Sequence, residues 1–311
     1  MKRIDYLITE IRRLSNNENY SSTEGIADEQ IIRYLNDAQD YLQSAISNTN
    51  QNNKVFSVEK IISVVAGQEA YTIPGRVFYN KEIQLVEFSY DGTTQSYAPL
   101  IKLQLFNRDT YQRDVASGYY VRNGQINLVP VPTTSTGSIR VLFEGKLDQL
   151  DKRRGTVSVV SGLTSTTFTS ITIGSDADEA SVPNLSTIDY VCINDAFGNV
   201  KAYNIPVSNY NTGTNVLTPG TFTFQAGETI AVNDFVTFGK YSTTHSKLMD
   251  EAEAFLIHYA VEQCMADDAH EDVIKQSSYL QRLLEGILAA TKSQTPEITY
   301  IPQVDWSEWW G

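Results

Sequence analysis

Helical periodicity at both ends of the chain brackets a long central stretch, Val55 to Tyr241, that reads as β structure, and this order of patterns limits the fold class. At the start, Ile4, Leu7, Ile8, Ile11 and Leu14 fall on one face of a helix. A polar link from Ser15 to Thr23 follows. Ile31, Leu35, Ala38, Leu42 and Ala45 then mark a second helix, with Asp28 placed as its N-cap. The run Asn48-Thr49-Asn50-Gln51-Asn52-Asn53 ends it, because side chains of this kind compete for backbone hydrogen bonds. Near the other end, residues 254–266 are apolar around most of a helical circumference, which predicts a helix covered on several sides. An acidic break, Asp267 to Asp272, separates it from a last helix with Val273, Leu280, Leu284 and Ile287 on one face.

Between the helices, β-branched and aromatic runs alternate with Gly, Pro, Asn and Asp, as in Lys60 to Val65, Glu82 to Tyr90 and Ser138 to Phe143. Tyr119 to Arg122, Asn123-Gly124 and Gln125 to Val129 form the clearest hairpin, since Asn-Gly supplies both positive φ angles of a type I′ turn. Thr, Ser, Val and Gly dominate from Gly155 to Gly239, which predicts a second all-β lobe. The expectation is an α+β fold in which N- and C-terminal helices pack as a small bundle with antiparallel β lobes inserted. Its parts are 1–54 (helices), 55–154 (first β lobe), 155–240 (second, inserted β lobe), 241–294 (helices completing the base) and 295–311 (an extended C-terminal arm).

The net charge is −13 and unevenly placed. Residues 1–154 balance, whereas 155–240 carry −5 and 241–311 carry −8. Such a field repels phosphate and argues against tight nucleic-acid binding, though it suits a wall past which DNA slides. Met1-Lys2-Arg3-Ile4-Asp5-Tyr6 has none of the character of a secretory leader, and no apolar run reaches bilayer length. A cytoplasmic site of synthesis and no membrane partner are expected.

Chemistry is sparse. Three histidines, His245, His258 and His270, sit in no nucleophile or metal motif, and Ile274 stands where a zinc-protease helix would need its second histidine. Asp176-Ala177-Asp178-Glu179 lacks the third ligand and glycine of a calcium loop, with Ala180 and Ser181 there instead. The Gly-Lys pairs at 145–146 and 239–240 lack the first glycine of a phosphate loop. Cys192 and Cys264 read as small buried apolar residues. The expectation is a non-enzymatic protein with no cofactor and no metal. One basic cluster, Lys146, Lys152, Arg153 and Arg154, suits equally a solvated connector or charge contacts between subunits.

All three tryptophans, Trp306, Trp309 and Trp310, lie in the last six residues. Large amphipathic rings at a chain end, with Pro296 and Pro302 stiffening the approach, suit insertion into a partner. Tyr300, Ile301, Trp306, Trp309 and Trp310 are the candidate anchors.

The phrase Ile31-Ile32-Arg33-Tyr34-Leu35-Asn36-Asp37-Ala38-Gln39 and the segment Tyr120 to Leu147, framed by helices at both ends, resemble the head-to-tail connector (adaptor) proteins of tailed bacteriophages. Within that segment the hairpin Gly124 to Pro132 followed by Ile139 to Glu144 carries much of the likeness. It covers residues 1–150 and 244–311, and the lobe 155–240 departs from smaller adaptors. The resemblance implies a virion structural protein at the head–tail junction. It would form a homo-oligomeric ring, commonly of twelve subunits, that binds the portal protein and further tail or ring proteins, and lets genomic DNA pass without specific binding. The rival reading is a tail or baseplate component whose β lobe binds carbohydrate or protein, with Tyr190, Tyr203 and Tyr210 as sugar-stacking candidates.

Overall fold

Both kinds of periodicity become elements in a computed structural model, which describes residues 3–15, 26–49, 55–73, 76–78, 83–90, 96–105, 116–175, 182–225, 227–267 and 273–292. Helices α1 (Ile4–Leu14) and α2 (Asp28–Thr49) open the chain. Strands β1 (Ser57–Ser63), β2 (Ala70–Thr72), β3 (Leu85–Ser89), β4 (Ala98–Pro99), β5 (Ile101–Lys102), β6 (Gly118–Arg122), β7 (Gln125–Val129) and β8 (Ser138–Glu144) follow. After them come β9 (Gln149–Leu150), β10 (Gly155–Ser161), β11 (Ser170–Gly174), β12 (Tyr190–Asn194), β13 (Val200–Asn211), β14 (Val216–Pro219), β15 (Phe235–Phe238) and β16 (Ser242–Thr243). A 3-10 turn, Asp250–Ala252, leads into α3 (Glu253–Asp267) and α4 (Val273–Lys292). The chain is mixed α+β, and it divides into two compact units, residues 51–146 and residues 1–50 with 147–311.

Residues 51–146 form two four-stranded sheets, in the orders β1-β8-β3-β4 and β2-β7-β6-β5. Alternation decides which side chains meet. On β8, Ile139, Val141 and Phe143 are buried with Val86 and Phe88 of β3, Tyr71 of β2, and Ile126 and Leu128 of β7 in one apolar core. On the opposite face Arg140 lies across from Glu87, bonds its carboxylate, and stacks over the Tyr97 ring at 4.3 Å, and Leu142 lies across from Leu85. The β6–β7 hairpin turns at Asn123-Gly124 with φ of 52° and 70°, the type I′ geometry expected.

In the other unit, the strands between Gly155 and Phe238 close into a six-stranded barrel of order β10-β11-β14-β13-β12-β15. Its interior is filled by Val157, Ile171, Ile173, Val191, Ile193, Ala202, Ile205, Leu217 and Val236. Phe168, Phe222 and Phe224 cluster against that core, with centroids 4.7–6.1 Å apart. Beside the barrel, β16 pairs in parallel with β9 as a two-stranded sheet.

The helices of this unit explain the all-round apolar character of α3, which packs against α1, α2 and α4. Phe255, Leu256, Ala260, Val261 and Cys264 are buried there. Tyr41 of α2 stacks on Phe255 and Tyr259, and His258 meets Tyr279 of α4 edge-on at 4.6 Å. Leu35 and Leu42 of α2 are completely buried, so truncating either to alanine costs about 2–5 kcal/mol.

Asp28 differs from expectation. It occupies the first turn of α2, where the Gln30 and Ile31 N–H groups bond to Ala27 O, and its carboxylate takes Arg12 at 2.6 Å and Lys152 at 3.2 Å. Two cations converging from outside the helix outcompete the local backbone N–H groups. Partial burial acts to raise this carboxyl, and Arg12 and Lys152 outweigh it, so its pKa lies below the ordinary value.

Candidate functional site

Three amides on α2, Asn36, Gln39 and Gln43, face the chain segment that enters the barrel. The Asn36 side chain treats Leu150 as a neighbouring strand would: Leu150 N–H donates to Oδ1 at 2.7 Å and Nδ2 donates to the Leu150 carbonyl at 2.9 Å. Gln39, 2% exposed, donates to the Asp148 carbonyl at 2.8 Å and accepts from Ser246 Oγ at 3.0 Å. Gln43, 0% exposed, accepts from Leu147 N–H at 3.2 Å. Buried amides are costly unless satisfied, so this row fixes which backbone lies against α2 and in what register. The helical pattern read from sequence showed only the apolar row beside it. Asn and Gln on a helix look solvated until the backbone they read is known, so no local signal marks them.

Lys152, Arg153 and Arg154 of the basic cluster sit at the same seam, whereas Lys146 belongs to the unit 51–146, where its N–H bonds to Arg76 O. Arg154 forks onto Asp151 (2.7 and 3.0 Å), reaches Glu29 at 3.0 Å, and lies over the Phe238 ring at 5.1 Å. Asp151 is buried and also accepts the Phe238 N–H at 2.7 Å. Burial works against the Arg154 charge, but Asp151 and Glu29 outweigh it and its pKa is raised; burial likewise pushes Asp151 up against the pull of Arg154. Lys152 goes to Asp28, and Arg153 lies over the Phe235 ring at 4.8 Å. Within one protomer, therefore, Lys152 and Arg154 tie α2 to the strands that open the barrel.

The lobe tyrosines have internal partners. Tyr203 donates to Asp148 at 2.6 Å and packs against Tyr241, Tyr210 donates to the Pro183 carbonyl at 2.9 Å, and Lys240 covers the Tyr190 ring at 4.1 Å. His245 Nδ1 lies 2.9 Å from Thr244 Oγ1, and its pKa is lowered by burial and by Arg3. His258, 2.5 Å from Gln276 Nε2, is also lowered by burial. Cys192 and Cys264 are both buried as free thiols. Among the described residues no cluster of His, Cys, Asp or Glu is placed to hold a metal, and no helix is long and apolar enough to cross a membrane. His270, the acidic run at 176–179 and the anchors Tyr300, Ile301, Trp306, Trp309 and Trp310 lie outside the described residues.

Two exposed apolar side chains crown one end of the barrel. Phe197, on the turn joining β12 to β13, is 81% exposed, and Val232, just before β15, is 55% exposed. Strands β12 and β15 are neighbours, with Asn194 opposite Phe235, so both turns leave the same rim. A separate hollow opens where α1, the segment Ser246 to Asp250 and α3 meet. Leu7, Leu248, Met249 and Leu256 supply its apolar lining and Ser246, Asp250 and Glu253 its polar lining, and its volume is about 20 Å³, room for about one water.

Residues 4–153 match the family model of the SU10 adaptor protein. The matched range takes in α1, α2, the two sheets of residues 51–146 and the cations up to Arg153, and it stops before the barrel. No curated protein matches the chain.

Proposed function

We propose that this chain is a phage adaptor protein: a structural, non-catalytic subunit that closes into a ring, docks on the portal of the capsid, and extends the DNA channel toward the tail. The observation that carries the reading is the match of residues 4–153 to an adaptor family, a range that ends inside the α2–β9 seam. The seam supports it physically, because satisfied buried amides and the Asp151–Arg154 pair make a rigid base of the kind a ring under load requires. The charge of −13 supports passage of DNA without retention. The arm 295–311, with Tyr300, Ile301, Trp306, Trp309 and Trp310, is the proposed anchor to the portal or to a neighbouring subunit. Any contact that Lys146 and Arg153 make between subunits belongs to the same proposal.

The test is genetic and morphological. Phage lacking this chain should accumulate DNA-filled heads with a bare portal and separate tails. Complete particles with tails attached but defective in host recognition would instead favour the baseplate reading.

A further inference from the structure

Of the edges that the two sheets of residues 51–146 present, one is left open at full length. β1 runs for seven residues and stands last in its sheet, bonded to β8 alone. The other edges, β2, β4 and β5, are two or three residues long, and β4 ends in Pro99, which has no N–H to offer. Val64 N–H donates to Gly137 O and Gly145 N–H to Phe56 O, so the even-numbered residues of β1 turn their backbone groups to β8 in the antiparallel ladder. The N–H and C=O groups of Ser57, Glu59, Ile61 and Ser63 therefore point to the open side, where nothing among the described residues bonds them. In this row Ile61 is 51% exposed, a β-branched apolar side chain on the face that carries Arg140. A row of orphan backbone groups of this length is a template for a further strand.

We infer that the chain's own arm supplies that strand, with residues 297–301 of one copy pairing along the β1 edge of the next. The inference rests on the ring reading above and names a joint for it. Pro296 and Pro302 bracket a run of five residues, Glu297-Ile298-Thr299-Tyr300-Ile301, in which every residue has an N–H, and five is an ordinary strand length. β-Branched and aromatic side chains fill four of the five places. Alternation sets Ile298 and Tyr300 on one face of such a strand and Glu297 on the other, which matches Ile61 on one face of β1 and Lys60 on the other. Charge decides between occupants. After Lys292 the chain holds Glu297, Asp305 and Glu308 and no base, whereas a second β1 would bring another Lys60 to the exposed Lys60. Glu59, on the Ile61 face, already lies in the field of Arg140. Reach allows a neighbouring copy: Lys292 closes α4, and at about 3.3 Å per residue an extended chain carries Ile301 about 30 Å past it. Arm and edge are unlike surfaces, so their pairing adds copy to copy until the rotation closes. One five-residue strand buries less than the ~1,000 Å² that a stable pair needs, so the joint is weak between two copies and persists in a ring, where every copy gives one arm and receives one. Trp306, Trp309 and Trp310, beyond Pro302, are left to meet the portal.

Disulfide trapping between full-length copies mixed with the portal tests it. One preparation carries Ile61→Cys and a second carries Tyr300→Cys; the native Cys192 and Cys264 are buried and stay silent. Paired strands hold the two thiols at high effective concentration, so oxidising the mixture should give a cross-linked dimer about tenfold or more above the control mixture of Thr212→Cys with Tyr300→Cys, Thr212 being an exposed turn residue of the barrel. Ile298→Cys in place of Tyr300→Cys covers a register shifted by one pleat. Ile61→Pro removes an outward N–H, keeps the bonds to β8, and should stop ring closure while the melting temperature stays nearly unchanged. Rings with cross-linking no higher than control would overturn the inference and leave the ring reading standing. Cross-links confined to single chains of the double variant Ile61→Cys, Tyr300→Cys would overturn it in favour of the chain's own edge, and dimers formed by Ile61→Cys alone in favour of a second β1. Cross-linked copies that never close would uphold the pairing and refute the ring. Neither enrichment nor assembly would overturn both.

Discussion

Replacing Asn36 with leucine removes the one side chain that pairs with both backbone groups of Leu150, itself 2% exposed. Leucine is larger than asparagine and a better helix former, so helix propensity does not account for a loss of stability. Each orphaned backbone group costs about 1–3 kcal/mol, and Asn36 is only half-buried, so water reaching the edge of the seam relieves part of the penalty. The expected loss is about 2–4 kcal/mol. Asn36→Asp keeps an acceptor for the Leu150 N–H and should lose less. Urea titration followed by far-ultraviolet circular dichroism measures the change. Amide exchange at Leu150 and Asp151 should accelerate in the leucine variant before global unfolding. A loss below about 0.5 kcal/mol, with exchange unchanged, would refute the view that α2 amides hold the barrel entry.

Three further outcomes are expected. Asp151→Ala strands the Phe238 N–H and leaves the Arg154 charge only its more exposed partner Glu29, and should cost about 3 kcal/mol, part of it recovered when Arg154 is also replaced by methionine; thermal melts of both variants decide this. His245 and His258 have folded pKa values below the ordinary histidine value, so the unfolded chain takes up protons first, and stability should fall as pH drops from about 7.5 to about 5.5. His258→Gln should flatten that decline in pH-dependent denaturation midpoints, and an unchanged slope would contradict it. Truncation after Pro296 should leave the melting temperature intact and abolish portal attachment, with tryptophan emission of the full chain shifting blue when portal is added; emission already blue in the free chain would mean the arm packs on its own protomer.

The periodic part of the fold was legible in the sequence because it depends on local spacing. The Leu35–Leu42 row marked α2, the apolar circumference of 254–266 marked a covered helix, and Asn123-Gly124 marked a type I′ hairpin. Non-local pairing was not legible. Nothing near Asn36 announces Leu150, and nothing near Asp28 announces Lys152, since each partner lies more than a hundred residues away. That the strands from Gly155 to Phe238 close into a barrel follows from the pairing of β10 with β15, a contact that strand propensity cannot express. Phe197 was overlooked for another reason: a phenylalanine between β strands reads as core, and only its exposure shows that the turn aims it outward.

The central claim, that this chain is a ring-forming adaptor, is tested most directly by native mass measurement with negative-stain imaging of the full-length protein mixed with its cognate portal. Closed rings of this chain stacked coaxially on the portal, absent when the portal is omitted at the same micromolar concentration, are the predicted result. A mixture in which the portal stays bare while the chain remains monomeric would contradict the account.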